Sequence, residues 1–362
     1  MSKSHYIIPI FVPHEGCPHN CVFCNQGTIT GNEEIVDENY TRNIIEDYLK
    51  TIDANNSIVE VSFFGGTFTA IDKNKQRKLL KVAKEYKDQG YINFIRLSTR
   101  PDYIDSDILD NLKNYGVDII ELGIQSMDEE VLMKSGRGHS EDDVYKASKL
   151  IKEYGFTLGH QIMLGLPGDN FSKDIETTEK VISMKPDICR IYPALVVKNT
   201  PMEIMYNTKT YKPYSLKEAV DICKIVYGML ISNGINVIRV GLQPTEEINV
   251  GREIIAGPFH PAFRELVESS ILNDMIYEFL SKKDAEYFQI EINSRYISKL
   301  YANKKEFFYD IVRKLKTDKV KVIQNNAVSL GEIILKWDKN CNKMSLYEYI
   351  LKKYKKGYLS LI

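Results

Sequence analysis

Short apolar runs alternate with amphipathic segments over residues 6–232, with a new run about every thirty residues. The runs predict six strands, at Tyr6–Val12, Val59–Phe64, Phe94–Ser98, Ile119–Ile124, Leu158–Leu164 and Ile188–Pro193. Apolar residues at helical spacing predict helices at Asp37–Leu49, Asn74–Tyr86, Asp105–Tyr115, Asp142–Tyr154, Phe171–Met184 and Leu216–Ser232. This alternation is typical of βα units around a parallel sheet, and Asn236–Val240 is a candidate for one more strand.

The pattern changes after Glu265. A strand, two helices and a second strand are predicted there, at Tyr287–Ile292, Ser294–Leu300, Glu306–Leu315 and Val320–Gln324. The chain has 362 residues, which is more than a single hydrophobic core usually serves. We therefore predict two domains, a large α/β core at residues 1–265 and a small α/β domain at residues 266–362.

Charge divides the chain in a similar place. The whole sequence is nearly neutral, with 48 Lys and Arg against 49 Asp and Glu, but residues 301–362 contain 14 basic and 6 acidic residues. A basic C-terminal segment of this kind favours a polyanionic partner. No apolar run reaches the roughly 18 residues of a membrane span, and the polar start Met1–His5 does not resemble a signal peptide.

Three cysteines lie close together directly after the first predicted strand. Cys17, Cys21 and Cys24 form a C-x3-C-x2-C cluster, whereas the other three cysteines are isolated in the sequence. Spacing this short favours ligands of a metal or metal–sulfur centre over disulfides, and unpaired thiols suit a reducing cytoplasm. Two centres fit: a zinc site completed by His14 or His19, or a 4Fe-4S cluster with three protein ligands and one open iron.

The remaining motifs also follow predicted strands. Gly65-Gly66-Thr67 follows the second strand, Ser98 and Arg100 end the third, Gln125-Ser126 follows the fourth, and Gly165–Gly168 follows the fifth. In barrels of βα units the carboxyl ends of the strands carry the active site. Each motif also has a plain structural interpretation, since the glycines suit a tight turn and a glutamine can be a satisfied core residue.

The cysteine loop resembles the radical SAM superfamily, in which an aromatic residue, here Phe23, precedes the last cysteine. The resemblance spans roughly residues 6–265 and continues through FFGGTF, LSTRPDYID, ELGIQS, GRGHS, GHQIMLGLPGD, RIYPALVVKNTPM, IRVGLQPT and AGPFHPAF. In this order the motifs are most similar to the subgroup that contains the catalytic subunit of Elongator, and more distantly to oxygen-independent coproporphyrinogen oxidases. The implied fold is a partial (β/α)6 TIM-like barrel.

The same resemblance implies the chemistry of the site. Cys17, Cys21 and Cys24 would hold a 4Fe-4S cluster, and an electron donor such as a ferredoxin or flavodoxin would reduce it so that S-adenosylmethionine is cleaved to a 5′-deoxyadenosyl radical. The residues expected at the cofactor are Phe23, Gly65, Gly66, Thr67, Ser98, Gln125, Arg137 and Gln161. Arg137 would bind the methionine carboxylate, and the two glutamines would reach the ribose hydroxyls. An exposed loop arginine is the alternative for Arg137.

The resemblance favours a nucleotide of tRNA or rRNA as the substrate, with Tyr206, Arg239 and Gln243 as candidate contacts. Residues 266–362 resemble a KH-type RNA-binding module, although the clamp glycines are absent at Ala302–Lys305. They are too few for the acetyltransferase domain of the Elongator subunit. A tetrapyrrole or small-molecule substrate, and a non-catalytic metal-stabilised RNA-binding protein or cofactor chaperone, are the other hypotheses. The sequence leaves the modified atom and the oligomeric state open.

Overall fold

The computed structural model describes residues 4–12, 17, 19–25, 36–242, 252–315, 317 and 319–355. These residues form two compact units. The first contains the described residues up to Pro213 together with 252–257, and the second contains 214–242 and the described residues from Pro258 onward. The domain boundary at residue 265 stays a prediction. None of the described helices is both long and apolar enough to cross a membrane.

Six parallel strands of the first unit lie side by side in one sheet, in the spatial order β1 to β6. They are β1 (Ser4–Val12), β2 (Ser57–Gly65), β3 (Phe94–Thr99), β4 (Ile119–Gln125), β5 (Thr157–Leu164) and β6 (Ile188–Pro193). Spatial order therefore follows chain order, as repeated right-handed βα units require. The predicted TIM-like partial (β/α)6 barrel is confirmed, and so are all six predicted strands.

Helices connect these strands, and most begin at a side-chain cap. They are α1 (Glu38–Leu49), α2 (Lys73–Asp88), α3 (Ser106–Asn114), α4 (Glu129–Lys134), α5 (Glu141–Glu153) and α6 (Phe171–Met184). The α5 helix begins with a capping box, in which Ser140 and Asp143 satisfy each other's backbone N–H groups. Each helix buries apolar residues on one side, and this burial accounts for the helical spacing seen in the sequence.

A smaller substructure follows β6 in the first unit. The short strands β7 (Val196–Val197) and β9 (Ile254–Ala256) pair antiparallel, and the helix α7 (Pro201–Asn207) follows β7. Met202 of α7 is fully buried in an apolar cluster that also contains Val131 and Tyr211. The Tyr211 hydroxyl donates to the Gly165 carbonyl oxygen at 2.6 Å, which ties this segment to the loop after β5.

The second unit combines a four-stranded sheet with helices. Its elements are α8 (Leu216–Ser232), β8 (Asn236–Val240), α9 (Phe263–Leu280), β10 (Phe288–Ile292), α10 (Ile297–Leu300), α11 (Glu306–Lys314), β11 (Val320–Gln324), β12 (Glu332–Trp337), β13 (Asn340–Ser345) and α12 (Leu346–Tyr354). The sheet order is β11-β10-β12-β13, with β10 parallel to β11. The sequence predicted β10 and β11 but missed β12, β13 and α12.

The turn at Ala302–Lys305 has an unusual backbone. Asn303, Lys304 and Lys305 all have positive φ angles, of 54°, 52° and 69°. Three successive left-handed residues without a glycine are uncommon, because each carries a Cβ that crowds this conformation. The side chains of Lys304 and Lys305 are exposed. The similarity to a KH-type module stays a prediction.

Candidate active site

The three clustered cysteines lie in the loop after β1 and are not in disulfide bonds. Cys21 is buried, whereas Cys17 and Cys24 are half-buried. Backbone hydrogen bonds hold this loop from two sides, because Val22 N–H donates to Ser135 O at 3.1 Å and Val22 O accepts from Met202 N–H at 2.9 Å. A further bond within the loop joins Cys24 N–H to Cys21 O at 3.0 Å. The loop is therefore positioned by the segments that follow β4 and β7.

A buried guanidinium lies against the central thiol. Arg137 Nη1 donates to Cys21 Sγ at 3.2 Å, and Arg137 Nη2 donates to the carbonyl oxygen of Gly123 in β4. Arg100 Nη2 donates to Arg137 O, and the Arg100 guanidinium also binds both carboxylate oxygens of Asp102 at 2.9 Å. Arg137 is only 5% exposed, so the alternative interpretation as an exposed loop arginine is wrong.

Glycines on both sides of Arg137 allow this approach. Gly136 and Gly138 have φ angles of +64° and +71°, in the region that favours glycine. A Cβ on Gly138 would lie 2.2 Å from Cε1 of His19, whose ring packs against this backbone. The His19 Nε2 atom lies 3.7 Å from Asp102 Oδ2. The two glycines therefore let the backbone around Arg137 pack against the cysteine loop without a steric clash.

The turn after β2 contacts the start of the cysteine loop. Gly65 has φ +115°, and a Cβ there would lie 2.2 Å from the Val12 carbonyl oxygen. That same oxygen accepts from Gly66 N–H at 3.2 Å. Thr67 is buried beside the half-buried Gly65 and Gly66. Position 65 requires glycine because the two backbones pack closely there. This supports the interpretation of Gly65 as a tight-turn residue, whether or not a cofactor binds.

Three further predicted residues, Ser98, Gln125 and Gln161, lie on the strands β3, β4 and β5. Gln161 Nε2 in β5 donates to Gln125 Oε1 at 3.4 Å, and Ser98 Oγ in β3 donates to Glu121 at 3.5 Å. Gln125 has φ +67°, beside a register shift between Gly123 and Gln125 that bends the end of β4. A left-handed glutamine costs about 1–2 kcal/mol relative to ordinary backbone. Strain of this kind is common in binding sites, where it aims a side chain or carbonyl group.

A charged network that the sequence analysis missed lies deeper in the first unit. Arg96 donates from Nη1 to Glu121 at 2.8 Å and from Nη2 to Glu60 at 2.9 Å, and Arg190 donates from Nε to Glu121 at 3.0 Å. The network thus joins β2, β3, β4 and β6. Burial lowers the pKa of Arg190, and the neighbouring Glu121 carboxylate more than reverses that effect. The sequence signal was a single charged residue between apolar neighbours in each strand, as in Val59-Glu60-Val61 and Ile95-Arg96-Leu97.

The two histidines near the motifs are buried and neutral at pH 7. His160 Nε2 lies 2.9 Å from the Ser148 hydroxyl oxygen of α5, and burial lowers the pKa of His160 to about 3. Burial also lowers the pKa of His139 to about 3, with further contributions from Arg137 and Arg100. A proton relay near physiological pH would require a pKa closer to 7. His160 therefore has a packing role in this fold.

The predicted substrate residues are not brought together within the described part of the first unit. Tyr206 lies on α7 and is 37% exposed, whereas Arg239 lies on β8 in the second unit and is half-buried. Gln243 lies outside the described residues. Phe23 packs against the apolar cluster around Met202, with its ring centroid 6.0 Å from Arg137 Cζ.

The thiols and the buried guanidinium groups beside them suit an anionic iron–sulfur cluster. A zinc ion with Zn–S bonds of about 2.3 Å would bring two sulfurs to about 3.8 Å from each other. Among the described residues no three His, Cys, Asp or Glu side chains are gathered to hold one ion. A cluster does not need that convergence, because each thiolate binds a different iron. Arg137 Nε and Arg100 Nη1 are buried and find no acceptor among the described residues, so an anionic group beside Cys21 would satisfy them.

Comparisons with known proteins identify the family of this chain. The family described as the Radical SAM superfamily matches residues 11–181, and the Radical_SAM C-terminal domain matches residues 186–273. The chain is 27% identical over 256 residues to the tRNA uridine(34) acetyltransferase of Methanocaldococcus jannaschii, covering 60% of this chain and 47% of that protein. It is 24% identical over 317 residues to the enzyme of the same name from Methanocaldococcus infernus, covering 76% of this chain and 56% of that protein.

The fold is also similar to that of a solved structure. The solved structure of the archaeal Methanocaldococcus infernus Elp3 with an N-terminal deletion is similar, with a TM-score of 0.61 and 22% identity, over 76% of this chain and 64% of that chain. The chain spans about half the length of the curated relatives it matches. The two matched domains, the six parallel strands of the first unit and the cysteine loop after β1 lead to one conclusion: the chain belongs to the radical SAM superfamily.

Proposed function

We propose that the protein holds a 4Fe-4S cluster on Cys17, Cys21 and Cys24 and cleaves S-adenosylmethionine to modify a nucleotide of RNA, most specifically of tRNA. The observation that carries this proposal is the Cys21 thiol against a buried guanidinium, in a loop that meets the Gly65-Gly66-Thr67 turn at the carboxyl ends of the strands. When bound, the cluster and S-adenosylmethionine together would supply a 5′-deoxyadenosyl radical, which is chemistry of the cofactors.

The chain's own residues would bind and orient the cofactor. Backbone groups of Gly65, Gly66 and Thr67 would meet the methionine amino group, because this turn is fixed to the backbone that enters the cysteine loop. Gln125 and Gln161 lie within reach of each other on the neighbouring strands β4 and β5, where paired amides suit the ribose hydroxyls. The unpaired guanidinium N–H groups beside Cys21 suit a carboxylate.

RNA is the substrate class that the relatives support. Two of them carry the name tRNA uridine(34) acetyltransferase, and that name describes those proteins. The excess of basic over acidic residues in 301–362 adds support, because phosphate binding depends on such charge. The proposal includes radical chemistry on RNA and a low-potential electron donor such as a ferredoxin or flavodoxin. The cytoplasmic location expected from the sequence stays a prediction.

The test is anaerobic reconstitution with iron and sulfide, followed by reduction with S-adenosylmethionine and chromatography for 5′-deoxyadenosine, with and without tRNA. We expect product that increases with tRNA, and a triple Cys17→Ala, Cys21→Ala, Cys24→Ala variant that holds no cluster and forms none. Equal product without tRNA would replace RNA by a small-molecule substrate. An intact cluster that yields no product, or a triple variant that still makes 5′-deoxyadenosine, would overturn the enzymatic proposal.

A further inference from the structure

Two guanidinium groups and one carboxylate lie near Cys21, so one positive charge is not neutralised by a carboxylate among them. Arg100 and Arg137 are both buried, and the Asp102 carboxylate forms a bidentate pair with Arg100. Arg137 directs its two Nη atoms to a thiol sulfur and a backbone carbonyl oxygen. Arginine stays protonated in proteins, although burial lowers the pKa of Arg137. The Cys21 sulfur, which would carry negative charge as a cluster ligand, is therefore the atom that this guanidinium is placed to meet.

Arg137 is held in place by its backbone and both ends of its guanidinium. Its N–H donates to Leu132 O at 3.0 Å, its carbonyl oxygen accepts from Arg100, and its Nη2 atom donates to Gly123 O. These three contacts to three different segments hold Arg137 in place, so the Nη1–Sγ contact of 3.2 Å is a built feature of the fold. A mobile surface arginine would form no such set.

We propose that Arg137 is a positioning residue that acts through the Cys21 thiolate and makes the iron–sulfur cluster easier to reduce. This inference rests on the cluster assigned under the proposed function. Reduction adds one electron from a low-potential carrier, and hence one negative charge, to a centre that its thiolates already make negative. A buried positive charge stabilises the reduced form more than the oxidised form, and hydrogen bonds to cluster sulfurs act in the same direction. The cation touches a ligand, so it can act before S-adenosylmethionine binds.

The experiment compares the full-length protein with Arg137→Met and Arg137→Lys, each reconstituted and assayed for iron and sulfide. The midpoint potential is measured by a redox titration followed by electron paramagnetic resonance, without S-adenosylmethionine. Arg137→Met keeps length but removes charge and donors, and we expect at least a tenfold lower ratio of reduced to oxidised cluster at fixed potential, which is about 59 mV for a one-electron couple. Arg137→Lys should lie between Met and the native residue. Arg42→Met is the matched control. It removes an arginine of α1 that is paired with Glu85 of α2, and it should not move the midpoint potential.

A second measurement is made on the native protein, so its main result does not depend on whether a variant takes up the cluster. In native protein labelled with 15N-arginine, the Nη1–H group bonded to Cys21 should give a nitrogen hyperfine coupling to the reduced cluster, and Arg137→Lys should remove it. A fully loaded Arg137→Met protein with the native potential, or a native cluster without arginine coupling, would overturn the inference. Absence of any cluster in the native protein would overturn the proposed function first, and the inference with it.

Discussion

Replacing Glu121 by glutamine removes one of two carboxylates from the buried network of Glu60, Arg96, Glu121 and Arg190. Glu121 is 3% exposed and accepts from Arg96 at 2.8 Å and from Arg190 at 3.0 Å. The native network has two negative and two positive groups. After the substitution it has two guanidiniums and one carboxylate, in a region of low dielectric constant where an unpaired charge is costly.

The two arginines are affected differently. Arg96 keeps the Glu60 carboxylate, with contacts of 2.8 Å from Nε and 2.9 Å from Nη2. Arg190 loses its only carboxylate partner among the described residues and keeps the Tyr192 hydroxyl oxygen at 3.5 Å and the Phe64 ring at 5.4 Å. Removing one partner of a buried ion pair costs about 3–5 kcal/mol. Because Arg96 stays paired, we expect the lower end of that range, about 3 kcal/mol.

The assay is urea unfolding of the reduced apoprotein, followed by far-ultraviolet circular dichroism. With an m value of about 2 kcal/mol/M, a loss of about 3 kcal/mol lowers the midpoint of the first unit by about 1.5 M. The single tryptophan, Trp337, lies in the second unit, so its fluorescence follows that unit separately. Glu130→Gln is the control, because Glu130 forms exposed ion pairs with Lys134 and Lys173 and its removal should leave the midpoint almost unchanged.

A second variant separates the loss of charge balance from a change of shape. Arg190→Met combined with Glu121→Gln removes the unpaired cation together with its partner, and should recover part of the lost stability. A Glu121→Gln midpoint that matches the Glu130→Gln control would refute the reasoning. The reasoning would also be refuted if the double variant lost more unfolding free energy than the two single variants lose in total.

Three further predictions concern other parts of the chain. Gly65→Ala should lower the melting temperature more than Gly90→Ala, since both have positive φ but only the first meets a backbone oxygen at 2.2 Å; equal losses would contradict this. His160 has a pKa of about 3 when folded against 6.5 in the unfolded chain, so only the unfolded state gains a proton as pH falls below about 6.5. The free energy of unfolding should therefore fall as the pH is lowered. His160→Asn should reduce the slope of this free energy against pH by about 1 kcal/mol per pH unit near pH 5.5. An unchanged slope, measured by urea unfolding at several pH values, would contradict this prediction. Lys304→Glu should weaken tRNA binding and reduce its salt dependence in filter assays, whereas Lys146→Glu on α5 should not; equal effects would remove the turn from the RNA-binding surface.

Much of the first unit follows from local sequence patterns. Apolar strands separated by amphipathic helices predicted all six parallel strands, because strand and helix periods are properties of neighbouring residues. The second unit was predicted less completely. Its β12 and β13 strands carry mixed apolar and charged residues, and they are recognised only by their pairing with β10 and with each other.

The sequence by itself determined the cysteine spacing, the glycine turns and the order of the strands, and these were sufficient to indicate the family. The tertiary structure alone decided that Arg137 meets Cys21, 116 residues away in the chain, and that four charged residues from four strands form one network. Such contacts are set by the register and curvature of the sheet, which bring distant residues to one place. A side chain's partner across a sheet is a property of the whole fold, and no local pattern encodes it.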